Sequence, residues 1–292
     1  MSYFFELLIN GFLTGLMYGL AALGFVLIYK SSGVVNLAQG AMIMIAAYIV
    51  WLLTSFGLSV WLAIPGGIVL MFCFGLFAER FLLRKMVGQP IIMIVMLTLG
   101  LEILLRGVGP GFLGAAPKQI DIGIPFTPII FGDVFINRTY LIGGAVALLL
   151  IGASLLFFRT RLGTKLRAVS DDHVSSWSVG ISVERAIGIS WGLAGLSAIA
   201  AGVVWGSVQG VDWTLSTLLF PAIAVVILGG LDSVVGVLVG GLIVGVLGSV
   251  IPGYLDEFAG GGTRDVVTSI LILVTIMIRP YGIFGREDIE RV

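Results

Sequence analysis

The most regular feature of the sequence is a succession of long apolar segments, separated by short polar or glycine- and proline-containing stretches. A helix needs about 20 apolar residues to cross the hydrocarbon core of a bilayer. All but one of the segments come near that length; the exception, 215–229, is shorter and contains a proline. They lie at 4–29, 38–56, 58–79, 90–106, 139–158, 186–208, 215–229, 234–251 and 264–280. The pattern predicts an all-α, polytopic membrane bundle of about eight transmembrane segments (seven to nine), forming a single transmembrane domain over residues 1–292.

The composition supports this prediction and excludes several other classes of protein. Apolar residues make up 59% of the chain, charged residues only 11%, and the mean hydropathy is +1.14, values that no soluble domain with a charged surface reaches. Sixteen basic and sixteen acidic residues balance, so no overall basic surface for nucleic acid is expected. One histidine and one cysteine support neither a metal site nor a catalytic dyad, so we expect no enzyme and no cofactor in this chain. We expect Cys73 to be a buried apolar side chain.

Basic residues predict the orientation in the membrane. They concentrate in three groups: Arg80, Arg84 and Lys85; Arg159, Arg161, Lys165 and Arg167; and Arg279, Arg286 and Arg291. The positive-inside rule places these groups in the cytoplasm. The loop 107–138 is then external, the N-terminus is outside as part of a retained first span, and the C-terminus is cytoplasmic. An odd number of crossings follows, and segment 215–251 is either a re-entrant pair or two full spans.

Two polar, glycine-containing stretches interrupt the apolar pattern and are candidate elements of a solute path. The first contains Asn36, Gln39 and Gly40, and the second contains Asp232 and Ser233. Irregular backbone at membrane depth is tolerated where it is buried in protein or lines a wet cavity, and broken helices often mark substrate paths. The structural alternative for the first stretch is a polar turn at the cytoplasmic surface. For Asp232 the alternative is a cap on the helix that starts near Ser233.

Recurring small residues and one charge pair predict how the helices contact each other. Gly11, Gly15 and Gly19 recur every fourth residue, a spacing that lets a second helix approach closely, and the same spacing recurs in the pairs Gly188 and Gly192, Gly236 and Gly240, and Gly241 and Gly245. Glu102 and Arg106 are four residues apart and predict a structural ion pair on one helix face.

The cytoplasmic loop 159–185 is the only sizeable polar stretch on its side, so a soluble partner would bind there. Apolar positions from Leu166 to Ile181 recur at spacings of three to five, which predicts a short amphipathic helix with a possible turn at Asp171 and Asp172. Gly180 can end such a helix. The alternative is a helix that lies on the lipid surface. The candidate docking residues are Arg167, Ala168, Asp171, Asp172, Val174, Trp177, Gly180 and Ile181.

These landmarks, taken in order, resemble the LivH-type permease family of branched-chain amino-acid ABC transporters. The resemblance runs from Asn10-Gly11 and Tyr18 through Asn36-Leu37-Ala38-Gln39-Gly40, and it continues in the loop at Arg167-Ala168, Asp172, Gly180-Ile181 and Arg185. It ends with Leu228-Gly229-Gly230 and with Arg279-Pro280-Tyr281-Gly282-Ile283-Phe284-Gly285. Gln39 stands where many relatives carry His, and Asp232 where many carry Gly. Because the family includes permeases for urea, amides and aromatic acids, these departures leave the solute open.

The resemblance implies a permease subunit of an ABC importer in the inner membrane that works by alternating access. It would pair with a second, related permease; two cytoplasmic ATPase subunits would bind ATP and dock on the coupling loop, and an external binding protein would deliver the solute. No GxxxxGK[ST] phosphate loop occurs in this chain, which agrees with ATP hydrolysis in a partner. The alternative from another class is a secondary transporter that works without an ATPase, since broken helices suit both.

Overall fold

The computed structural model describes residues 2–86, 89–114, 116–125, 127–131 and 134–286. Eleven α-helices dominate this part of the chain, and they run in the order α1 (Ser2–Ser32), α2 (Gln39–Ser55), α3 (Val60–Phe81), α4 (Ile91–Leu113), α5 (Arg138–Phe157), α6 (Arg161–Asp171), α7 (His173–Ser178), α8 (Val183–Gln209), α9 (Leu219–Gly229), α10 (Val234–Ala259) and α11 (Thr263–Ile278). Short 3-10 segments occupy Leu83–Met86 and Trp213–Leu218. A hairpin of β1 (Ile129–Phe131) and β2 (Val134–Ile136) pairs antiparallel, Ile130 opposite Phe135. The predicted all-α bundle is confirmed.

Helix lengths agree with a membrane protein. Six helices of the described part are long and apolar enough to cross a bilayer, and two shorter apolar stretches, Gln39–Ser55 and Trp213–Gly229, accompany them. For the segment 215–251 the structure gives one full-length helix and one short one: α10 has 26 residues, whereas α9 has 11 and rises only about 16 Å.

Glycines bring α1 and α10 into backbone contact, as their spacing predicts. A β-carbon on Gly15 would overlap the Gly241 carbonyl, and one on Gly11 would lie 3.0 Å from the Gly245 carbonyl oxygen. The same close packing joins α3 to α8, where a β-carbon on Gly75 would lie 2.6 Å from the Gly192 nitrogen. Since apolar lipid gives little hydrophobic drive for helix association, such close backbone packing is what holds a membrane bundle together.

The first predicted break lies inside the bundle. Gln39, the first residue of α2, packs against Gly24 of α1, whose added β-carbon would overlap the Gln39 amide. Gly24 is eight residues before the end of α1, a rise of about 12 Å. The connection from Gly33 to Ala38 therefore turns back into the bundle, and α2 is a helix that starts at depth. The alternative of a polar turn at the surface is wrong for Gln39.

Two sequence expectations need correction. Cys73 is exposed on the outer face of α3, because an apolar side chain in a membrane bundle need not be covered by protein. Helix α4 continues to Leu113, beyond the predicted end at residue 106. Gly109 packs there on Met44 and Ile45 of α2, so the glycine- and proline-containing stretch stays helical instead of starting a loop.

Candidate functional site

A cavity of about 1060 Å³ opens at the end of the bundle that carries the loop 159–185. We call this end the loop end, and the opposite end, which carries β1 and β2, the hairpin end. The cavity walls come from the last turn of α1, the α1–α2 connection, the start of α4, helix α6, the α9–α10 connection and the segment after α11. Five predicted residues line this common space: Asn36, Arg167, Asp171, Asp172 and Asp232. The fold therefore brings the two helix breaks and the polar loop to one cavity.

Asp232 sits in a charged network at the mouth of the cavity. Its carboxylate is 3.7 Å from Arg286 Nε and accepts a hydrogen bond from the Arg286 main-chain nitrogen at 3.3 Å. Its carbonyl accepts from Lys30 Nζ at 2.7 Å, and Arg286 also reaches Asp171 of α6 at 4.0 Å. Of the two alternatives for Asp232, the helix cap is wrong: the Ser233 side chain caps α10, accepting from the Gly236 nitrogen at 3.0 Å. Ser233 has the geometry of an N-cap residue, and Asp232 is left for the ion pair.

The segment after α11 closes the end of α9. The main-chain nitrogens of Ile283 and Phe284 donate to the carbonyls of Leu228 and Gly229, at 2.8 and 3.0 Å. The last carbonyls of any helix lack partners within the helix, so an adjacent segment that donates to them stabilises the helix end. This contact holds Arg286 beside Asp232.

The α1–α2 connection forms the inner wall of the cavity. Asn36 is nearly fully buried, and its Oδ1 accepts from the Ala38 nitrogen at 3.0 Å. The neighbouring Leu37 nitrogen donates to Thr98 Oγ1 of α4 at 3.1 Å. These bonds satisfy backbone groups that the break leaves without helix partners, and they give Asn36 a fixed position.

The other predicted path residues lie behind this wall. Gln39 is fully buried, and neither atom of its amide has a hydrogen-bond partner within the described part of the protein. A β-carbon on Gly40 would overlap the Ser216 carbonyl, so Gly40 is where α2 meets the start of α9. Gln39, Gly40 and Ser233 do not line the cavity.

The loop 159–185 folds as two helices, α6 and α7, which meet at the possible turn predicted at Asp171 and Asp172. The apolar stripe from Leu166 to Ile181 therefore does not lie on one continuous helix. Asp172 has extended backbone between α6 and α7, and its carboxylate accepts from the Val174 and Ser175 nitrogens at 2.8 and 3.1 Å. These hydrogen bonds, with one from the Ser175 hydroxyl, lower the pKa of Asp172. A carboxylate that caps a helix start in this way ends the preceding helix.

The two helices divide the predicted apolar stripe. Leu166 and Val169 of α6 are buried against the bundle, and the Ser170 hydroxyl donates to the Tyr29 carbonyl of α1 at 3.2 Å. In contrast, Val174 and Trp177 of α7 and the following Val179 are 70%, 47% and 74% exposed. Gly180, at φ +79°, follows this helix as predicted. Helix α6 is thus an anchor, and α7 presents apolar side chains outward.

The sequence did not single out three side chains of the site: Lys30, Thr98 and Arg286. Arg286 was visible only as a topology marker, Lys30 directly follows the first apolar segment, and Thr98 lies within an apolar span, so no local pattern could connect them. The Glu102–Arg106 pair forms as expected, at 3.3 Å. Within the described residues, no group of three His, Cys, Asp or Glu side chains could hold a metal ion.

Comparisons with known proteins identify the family of this chain. Residues 7–278 match the family model described as "Branched-chain amino acid transport system / permease component". The probable branched-chain amino acid transport permease protein LivH of Methanocaldococcus jannaschii is 32% identical over 92% of this chain and 88% of its own length. The permease protein BraD of Pseudomonas aeruginosa is 27% identical, and LivH of Escherichia coli K12 25% identical, each over 99% of this chain and 98% of its own length.

One solved structure, PsaBC from Streptococcus pneumoniae in complex with Fab, aligns with 94% of this chain and 93% of its own, at 18% identity and a TM-score of 0.47. The family assignment comes from the sequence comparisons. A match over nearly the whole chain, with relatives of the same length, shows that this multi-pass membrane protein belongs to the branched-chain amino acid transport system permease family, whose members are transport subunits of ABC importers and not enzymes.

Proposed function

We propose that this chain imports a branched-chain amino acid, as one of two related permeases that form the membrane part of the importer. Two cytoplasmic ATPase subunits would supply the energy, and an external binding protein would deliver the solute. The names of the full-length relatives support the solute class. The observation that carries the proposal is the cavity at the loop end, where both helix breaks meet the loop that would contact the ATPase.

In this proposal the loop end is cytoplasmic, and the N-terminus and the β-hairpin are external. The cavity is then the inward-facing part of the solute path. Asn36 and Asp232 line the path. Gln39 and Gly40 lie behind the wall that the α1–α2 connection forms, and Ser233 caps α10 next to Asp232. When the ATPases close, movement of α6 would reach the wall through Asp171, Arg286 and Asp232.

The docking element in this proposal is α7 with its flanks. Its exposed Val174 and Trp177 offer an apolar contact, and Arg167, Ala168, Asp171, Asp172, Gly180 and Ile181 hold that contact in position. The anchoring of α6 by Leu166, Val169 and Ser170 supports this role, because a force applied to α7 passes directly to α1. An amphipathic helix that merely rested on lipid would not require that tether.

Cysteine crosslinking tests the docking element. The exposed native Cys73 is first replaced by alanine, and a single cysteine is then placed at Val174 or at Ser178. We expect either cysteine to crosslink to a co-expressed ATPase subunit carrying a surface cysteine. A cysteine at Phe258, which is 87% exposed at the hairpin end, is the matched control and should not react. A folded complex without crosslinks from α7 would refute the docking proposal.

Uptake by proteoliposomes tests the path. Asp232→Asn removes the charge that Arg286 faces, and an ion pair of this exposure contributes up to about 1 kcal/mol, which corresponds to about fivefold in rate. We therefore expect leucine uptake to fall by about that factor. Glu257→Gln, an exposed acid at the hairpin end, is the control. Equal uptake by both variants and the parent protein would remove Asp232 from the path.

A further inference from the structure

A second recess, of about 410 Å³, lies at the hairpin end and has no part in the path described above. Its polar lining consists of Asn10 and Thr14 of α1, Asn137 just before α5, Tyr140 of α5, Ser249 of α10 and Arg264 of α11. Side chains from four helices thus converge on one space, and the β-hairpin borders it. This volume falls in the range of small-molecule sites.

Arg264 is fixed at this recess by a hydrogen bond to a main-chain carbonyl of α10 that has no partner within the helix. Pro252 lies inside α10 and has no main-chain N–H, so the carbonyl four residues earlier, that of Gly248, loses its helix partner. Arg264 Nε donates to that carbonyl at 3.0 Å. The guanidinium carries further N–H donors. The side chain of Tyr18, which is neutral, lies next to it.

The positive charge of Arg264 has no acidic partner in the described part of the chain, where no carboxylate lies within 4.0 Å of its guanidinium. Each of the four ion pairs found there involves other residues. The other residues that line the recess are all neutral, and a guanidinium in such surroundings can hold a carboxylate or phosphate with two parallel hydrogen bonds.

Asn10 supplies a hydrogen-bond acceptor to the same recess. Its Nδ2 donates to the Phe135 carbonyl of β2 at 3.0 Å, which fixes the orientation of the amide. The amide oxygen is buried and accepts no hydrogen bond from any described residue. The Thr14 hydroxyl donates its proton to the main-chain carbonyl of Asn10 at 2.7 Å. The lone pairs of the Thr14 hydroxyl oxygen therefore also remain available as acceptors. A buried acceptor without a donor is costly, and a ligand that donates would remove that cost.

We propose that this recess binds the zwitterionic head of an α-amino acid, with its carboxylate on Arg264 and its ammonium group on the Asn10 amide oxygen. Pro128 and Phe135 line the same recess and would face the apolar side chain. The assignment rests on the proposed function for the identity of the solute. It adds a site at the opposite end of the bundle, where solute leaving an external binding protein would be held before it enters the path.

The test uses the assembled transporter in nanodiscs, without ATP or binding protein, and measures thermal unfolding with the probe L-leucine. We expect leucine to raise the Tm. Neither 3-methylbutylamine, which lacks the carboxylate, nor 4-methylpentanoate, which lacks the ammonium group, should do so. The absence of a leucine response, or equal responses to all three compounds, would overturn the proposal.

Two variants of Arg264 separate the charge from the structural bond. Arg264→Lys and Arg264→Met both lose the Nε donor to Gly248, so any loss of stability through that bond affects both. We expect the leucine response to disappear in Arg264→Met and to persist, weakened, in Arg264→Lys. Ser269→Ala, an exposed hydroxyl on the same helix, should retain the full response. An undiminished response in Arg264→Met would overturn the assignment.

Asn10→Asp provides an independent check. It places a carboxylate in the same recess as Arg264, and this internal anion would occupy the guanidinium, so we expect loss of the leucine response. Phosphatidylethanolamine presents the same pair of charges, so the assay is repeated in nanodiscs of phosphatidylglycerol alone. Stabilisation by phosphatidylethanolamine but not by leucine would overturn the assignment to the solute. Failure of the leucine tests with intact crosslinking of α7 would reject this site and leave the proposed function standing. A normal leucine response without crosslinking of α7 would reject the docking proposal and leave this site standing.

Discussion

Among the described residues, Gln39 has the most buried side-chain polar atoms without a hydrogen-bond partner. Its amide is fully buried, and both of its polar atoms lack hydrogen-bond partners in the described part of the chain. Each buried polar group left unpaired costs about 1–3 kcal/mol. A side chain that lowers stability at the junction of two broken helices points to a role in the transport cycle, because such costs concentrate at functional sites.

Replacing Gln39 by methionine separates stability from function. Methionine has nearly the same shape and no amide, so we expect the free energy of unfolding to rise by about 1–3 kcal/mol and leucine uptake to fall. Thermal unfolding of the purified complex and uptake by proteoliposomes measure the two effects. Ser190→Ala, another fully buried polar residue but one with a hydrogen bond, should not raise stability. A stabilised Gln39→Met variant with normal uptake would contradict the proposal.

Asp172 gives a prediction about pH. Hydrogen bonds from Ser175 and Val174 lower the pKa of Asp172 in the folded protein below the ordinary value of an aspartate. Its contribution to the order of α7 is therefore present above that ordinary value and is lost as the pH falls through the lower, folded-state pKa. A spin label on a cysteine at Ser178, in the background without Cys73, should gain mobility only in that acidic range. Asp172→Ala should show the mobile spectrum already at neutral pH.

At the scale of elements, glycine spacing sets which helices can meet. Helix α1 touches α10 through Gly11, Gly15, Gly241 and Gly245, where only a hydrogen atom fits between the backbones. Gly100 of α4 is also a glycine inside an apolar helix, yet a β-carbon there would meet no atom within 4 Å. The number of glycines is therefore less informative than their position on a helix face.

The pair Gly15→Leu and Gly100→Leu tests this distinction. We expect Gly15→Leu to destabilise the bundle by about 3 kcal/mol or more, because the α1 and α10 backbones would have to separate. Gly100→Leu should be neutral or slightly stabilising, since leucine is the better helix former. Thermal unfolding in detergent compares the two variants. Equal destabilisation of both would mean that the α1–α10 contact is not tightly packed.

At the scale of the whole molecule, one ionic network joins four distant parts of the sequence. Lys30, Asp171, Asp232 and Arg286 come from the end of α1, from α6, from the α9–α10 connection and from the segment after α11. The loop that would contact an ATPase is thereby connected to the wall of the cavity.

Arg286→Gln should weaken that connection without unfolding the protein, since Arg286 is 69% exposed. We expect basal ATPase activity of the assembled complex to stay unchanged, and its stimulation by loaded binding protein to fall by up to about fivefold, the factor that corresponds to a surface ion pair. Arg159→Gln, an exposed base at the same end, is the control. Normal stimulation in Arg286→Gln would show that the coupling takes another route.

The sequence determined the apolar helices, the contacts of the glycine faces and the family, since each depends on local periodicity or on an ordered motif. It also identified Asn36 and Asp232, because polar residues between apolar runs are conspicuous. Only the tertiary structure decided that the first break lies at depth, that Ser233 rather than Asp232 caps α10, and that the possible turn at Asp171 and Asp172 divides the loop into an anchored helix and an exposed one. It alone brought Arg286 to Asp232, and Arg264 to Asn10. These pairings join residues more than 50 positions apart, and the helix packing that brings them together leaves no trace in the local pattern of either partner.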